Sequence, residues 1–179
     1  MTHFQVRSVK WTPFLGPPDR LSKLGSGHHR RQAREKLTAM GAELGFTFHY
    51  TDDMRMVNTF RAHQLIDWAE QQGHDAGHRM KLALFSAFFT ERRDLHRIEV
   101  LADIATGLGH DKATVTAMLE AGDRADSVRE RQAYWRRQGI SGVPAMVFNH
   151  RYLVTGAQGV DNYQEVLKQV AAEQTDQAH

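Results

Sequence analysis

The feature that most constrains this chain is a change of hydrophobic period. From His28 onward, apolar residues recur at helical spacing for about a hundred residues. Ala33, Leu37, Met40 and Leu44 share one stripe, closed by Gly45, and Phe46–Tyr50 is a short aromatic piece that could be extended. Asn58-Thr59 offers an N-cap for a helix over Asn58–Gln72 that buries Ala62, Leu65, Ile66 and Ala69, with Gly73 as its stop. Met80–Phe89 carries apolar residues well past one face, which predicts a helix at the centre of a layer. Ile98, Leu101, Ala102 and Ala105 mark another helix. Val115, Met118, Leu119 and Gly122 mark the next, with Asp111 as its cap. Asp123–Gln138 is a charged, mostly solvated helix that makes contacts through Val128 and Trp135. The period then becomes that of strands. Ala145–Phe148 and Tyr152–Thr155 form a hairpin joined by Asn149-His150-Arg151. Gly156 and Gly159 flank its exit. Tyr163, Val166, Leu167, Val170 and Ala171 define a last amphipathic helix, and the polar tail Thr175–His179 is expected to fray. Ahead of the helical block, Phe4–Trp11 reads as a strand with apolar residues on both faces. It is ended by Pro13, Pro17 and Pro18 and linked by the connector Leu21–Gly27.

Composition narrows the function classes. A chain of 179 residues is one domain, or one domain with an insertion. Lys and Arg total 23 against 21 Asp and Glu, and no aromatic residues interleave with the basic run between Arg20 and Lys36, so a nucleic-acid partner is not expected. Cysteine is absent, which excludes disulfides, zinc-thiolate sites and thiol chemistry by this chain alone. No apolar run reaches the ~18 residues of a membrane span, and the N-terminus lacks the long apolar stretch of a signal peptide. These absences give the expectation of a cytoplasmic protein without a membrane partner.

The most specific word is Gly139-Ile140-Ser141-Gly142-Val143-Pro144-Ala145-Met146-Val147-Phe148-Asn149, followed by Tyr152 and Thr155-Gly156-Ala157-Gln158. Asn58-Thr59-Phe60-Arg61-Ala62-His63, Trp68-Ala69, Ala83–Glu91 and Arg93-Asp94-Leu95 accompany it. Together these words resemble the DsbA family of the thioredoxin superfamily, in its FrnE-like branch, over nearly all of residues 4–170. The resemblance implies an α/β, thioredoxin-like fold, truncated at its N-terminus, with a large inserted helical domain. The thioredoxin-like layer is expected from 1–17 and 139–179, and the insertion from 18–138. The residues alone read Pro144 as a trans proline opening an edge strand. The resemblance implies a cis bond there, and a substrate-binding loop at Gly142, Val143 and Pro144 where an extended peptide pairs with the backbone.

The same resemblance shows what this chain lacks. The family begins with a strand, a loop bearing Cys-x-x-Cys, and a helix whose N-terminus lowers the thiol pKa. The resemblance implies that none of the three is expected ahead of Phe4 in this sequence. Loss of the first strand leaves strand edges with unpaired backbone groups, each costing ~1–3 kcal/mol when buried. Three resolutions are open. Phe4–Trp11 shifts to pair with Ala145–Phe148, a second copy fills the gap, or the sequence is a shortened reading in which Met1 is internal.

The remaining candidates have bland readings beside functional ones. His74, Asp75 and His78 have metal-ligand spacing, but Gly73 and Gly77 interrupt the stretch, so surface histidines and no metal are expected. Six basic residues and one acidic lie between Arg20 and Lys36, including Arg30-Arg31 after His28-His29; this is an anion-binding start or a solvated face. His63 reads as a packed core histidine, and Phe85, Phe88 and Phe89 as helical core. At the hairpin tip, Asn149-His150 replaces the family's Asn-Gly, and Asn tolerates positive φ. The functional expectation is a thiol–disulfide oxidoreductase or isomerase family protein, inactive in this form, with no catalytic residue and no cofactor. The alternative is a binder of a peptide or small apolar ligand at the Pro144 loop, with a homodimer open. Ranked below both is a glutathione-linked isomerase resembling 2-hydroxychromene-2-carboxylate isomerase.

Overall fold

The computed structural model describes residues 27–51, 54, 57–140, 142, 144–149, 152–156 and 160–176. The expected strand Phe4–Trp11, its proline terminators and most of the Leu21–Gly27 connector lie outside the described residues. The helices are α1 (Gly27–Glu43), α2 (Phe60–Ala69), α3 (Ala76–Phe85), a π-helical turn (Ser86–Thr90), α4 (Ile98–Gly107), α5 (Lys112–Ala121) and α6 (Ala125–Arg137). The strands β1 (Ala145–Phe148) and β2 (Tyr152–Thr155) and the helix α7 (Val160–Asp176) follow. The chain divides into two compact units, one ending at Arg131 and the other taking in Gln132–His179.

The helical unit is built on the stripes its sequence announces. Ala62, Leu65, Ile66 and Ala69 of α2 are buried, as are Leu101, Ala102 and Ala105 of α4 and Val115, Met118 and Leu119 of α5. Each fully buried Leu- or Met-sized side chain contributes ~1.5–3 kcal/mol. Asp111 caps α5 by accepting from the Thr114 amide at 2.8 Å and the Thr114 hydroxyl at 2.6 Å. Gly122 closes α5 at φ +71°, a left-handed conformation that suits glycine.

Four expectations change in the structure. Gly77 does not interrupt α3 but lies inside it, where a Cβ would collide with Cγ of Glu70, the residue that ends α2. Thr59 takes the N-cap position of α2 without a side-chain cap bond; Asn58 Oδ1 instead accepts from the Phe60 amide at 2.9 Å. The Met80–Phe89 helix changes pitch after Phe85, with the Glu91 amide donating to the Ser86 carbonyl at 3.0 Å. Met80, Leu84 and Ala87 then face the core, Leu82 is exposed, and Phe85, Phe88 and Phe89 are half-buried. Finally, the α1 stripe is uncovered: Leu37 is 45%, Met40 49% and Leu44 83% exposed, while the neighbouring Gly41 is buried. Gly41 lies close against the body of the unit, since a Cβ there would stand 2.6 Å from the Phe48 ring.

In the second unit, β1 and β2 pair antiparallel with Ala145 opposite Thr155 and Phe148 opposite Tyr152. β2 alternates half-buried Tyr152 and Val154 with exposed Leu153 and Thr155, the period-two pattern of a strand with one covered face. Asn149 turns the chain at φ +48°, and α7 buries Val170 and continues as far as Asp176.

Candidate functional site

The hairpin positions the residues singled out by sequence. Pro144 immediately precedes β1, and its carbonyl accepts from the Gly156 amide at 2.8 Å, one step beyond the last strand pair. Gly156 sits at φ +81°, where an L side chain is strained, so the turn out of β2 depends on this glycine. Its own carbonyl accepts from the Tyr163 hydroxyl at 3.4 Å. The residue before β1 is thereby fixed from the far side of the hairpin and by α7. Gly142 is exposed, and a Cβ on it would meet no atom within 4 Å. Val143, the third expected site residue, and His150 lie outside the described residues. The grip of Gly156 on Pro144 was not legible in the sequence, which marks Gly156 only as the hairpin exit.

This arrangement, a proline-led hairpin followed by a helix and preceded by a helical unit, coincides with a known domain. Residues 3–168 match the model of the DSBA-like thioredoxin domain. The chain belongs to the DSBA-like thioredoxin domain family. Its fold is the DsbA-like thioredoxin fold, largely helical with a small sheet. A probable DsbA oxidoreductase from Streptomyces coelicolor is similar in structure, with a TM-score of 0.76 and 27% identity over 85% of this chain. The chain spans 64% of that protein's length. A putative protein disulfide isomerase from Nitrosomonas europaea shares the fold at a TM-score of 0.57 and 21% identity, covering 87% of this chain and 78% of the other. The uncharacterized protein YwbO of Bacillus subtilis (strain 168) is 23% identical over 164 residues, which is 89% of this chain and 80% of YwbO.

The other sequence candidates of this DSBA-like chain lie in the helical unit. His63 is half-buried in the helical unit, and desolvation, with the Lys81 ammonium adding to it, pushes its imidazole down to about 4. It is therefore neutral at physiological pH. Lys81 is itself lowered by burial, partly offset by Glu70. His74 precedes α3 and stands 3.6 Å from the exposed Asp75 carboxylate, while His78 lies within the helix. No three potential ligands cluster around a common point among the described residues. The three phenylalanines join a wider ring cluster in which Phe89 meets Phe48 at 5.3 Å and Phe88 at 4.9 Å. The aromatic segment Phe46–Tyr50 is docked on the π-helical turn by two bonds in particular. The His49 amide donates to the Phe89 carbonyl at 2.8 Å, and the Thr90 hydroxyl donates to the Thr47 carbonyl at 2.6 Å. Sequence reasoning also missed Asp67, whose carboxylate is buried between α2 and α6.

Proposed function

We propose that this chain is a FrnE-like member of its family that performs no thiol–disulfide exchange by itself and docks an extended peptide at the loop leading into β1. The observation that carries the reading is chemical. Exchange begins when a thiolate attacks a disulfide sulfur, and none of the 179 residues supplies a thiol. Neither half-reaction can start on this chain. The docking half of the proposal rests on the anchored backbone at Pro144, whose carbonyl is held by Gly156, beside an exposed Gly142. A backbone fixed before it meets a peptide loses little entropy on binding.

Two measurements test this reading. Insulin reduction by the purified chain with dithiothreitol should proceed at the uncatalysed rate, and turnover above it rejects the first half. A fluorescent unfolded peptide should titrate saturably and bind more weakly to the Pro144→Ala variant. Unchanged binding removes the loop from the site.

A further inference from the structure

We infer that α1 is a self-association surface that pairs antiparallel with α1 of a second copy of this chain. Ala33, Leu37, Met40 and Leu44 are spaced four, three and four residues apart, the spacing of a two-helix seam, and all four are exposed. Among the described residues no other helix covers them. The stripe's opposite flank is already used, because Gly41 lies against Phe48 and Arg34 stacks over Tyr50 at 5.5 Å. The seam therefore faces away from the unit that carries it.

The charges along the seam name the occupant and its direction. Lys36 and Glu43 lie seven residues apart on the free flank, both exposed, and neither forms an ion pair among the described residues. In an antiparallel pair the corresponding flanks of the two helices face each other. Setting Leu37 against Met40 of the second copy brings Ala33 against its Leu44 and Lys36 against its Glu43. Two-fold symmetry repeats every one of these contacts, so both ends of the seam carry an opposite-charge pair. A parallel pair would instead bring Lys36 toward Gly41 and leave both charges unmatched. The surface is complementary to itself in one orientation, which is the property an isologous interface requires.

Sedimentation equilibrium of the full chain over a range of concentrations tests this inference. A reversible monomer–dimer equilibrium is expected. Leu37→Glu should abolish it, and Lys36→Glu or Glu43→Lys alone should weaken it by about tenfold or more. The double reversal Lys36→Glu with Glu43→Lys should restore it, a result that neither misfolding nor a general loss of solubility imitates. Because the chain has no cysteine, Ala33→Cys with Leu44→Cys offers a second readout, in which oxidation should give a covalent dimer. A chain that stays monomeric at every concentration overturns the inference. So does a dimer indifferent to Leu37→Glu and to the charge reversals. A monomer in which Leu44→Cys is shielded from a thiol-reactive probe also overturns it, since other residues of the same chain would then cover the stripe.

Discussion

Arg124 donates from both Nε and Nη2 to one carboxylate oxygen of Asp67, at 2.8 and 2.7 Å, across 57 residues of sequence. The other oxygen accepts from Arg131 Nη2 at 2.5 Å and from the Ser127 hydroxyl at 3.3 Å. Arg131 also reaches Glu70 at 2.7 Å. Asp67 is only 3% exposed, so four donor groups, from Arg124 in the turn before α6 and from Ser127 and Arg131 within it, converge on one buried carboxylate of α2. This is what fastens a charged helix to an apolar bundle.

Removing that carboxylate takes both donors of the largely buried Arg124 off their acceptor and leaves Arg131 with Glu70 alone. Asp67→Ala should lower the unfolding free energy by about 3 kcal/mol, read from the urea midpoint. Arg97→Ala, which loses only the exposed pair with Glu99, should cost less than ~0.5 kcal/mol. Equal costs would show that burial does not set the value of the Asp67 contacts.

His63 should make the chain acid-sensitive. Its folded value of about 4 lies below the ordinary 6.5, so the unfolded chain binds the extra proton between those limits. Stability held by the neutral ring is complete above pH 6.5 and is lost as pH falls toward 4, by about 3 kcal/mol in total. His63→Gln should flatten this part of the stability–pH profile; an unchanged slope would assign it to other groups.

Gly41 should not tolerate a side chain. An added Cβ meets the Phe48 ring at 2.6 Å and the Phe46 carbonyl oxygen at 2.7 Å, and a backbone oxygen cannot swing away as a flexible side chain can. Gly41→Ala should cost about 1–3 kcal/mol and loosen the 46–50 segment, seen as faster amide exchange at His49. Gly142→Ala, which meets nothing, should leave stability within about 0.5 kcal/mol.

Asn149 and Gly156 should respond in opposite ways. At φ +48°, Asn149→Gly relieves strain and should raise stability by a few tenths of a kcal/mol, whereas Asn149→Val should lower it by about 1–2 kcal/mol. Gly156→Val at φ +81° should be destabilising and should also weaken peptide binding, because it displaces the donor to Pro144. Titration of the same fluorescent peptide used for Pro144→Ala measures this.

Periodicity and turn chemistry alone determined the core stripes of α2, α4 and α5, the Asp111 cap, the hairpin from Ala145 to Thr155 and the left-handed position of Asn149. These are local properties, in which spacing along the chain dictates which side chains share a face. The lack of a thiol was equally plain, since chemistry that needs sulfur cannot be built from other residues. Only the tertiary structure decided that the α1 stripe stays uncovered while Gly41 makes the contact, and that Gly77 belongs inside a helix. It also placed Asp67 against Arg124, Ser127 and Arg131, in and just before a helix that reads as solvated, and Gly156 as the residue fixing Pro144. Each of those depends on which remote segment lies opposite, and spacing within one segment carries no information about its neighbour.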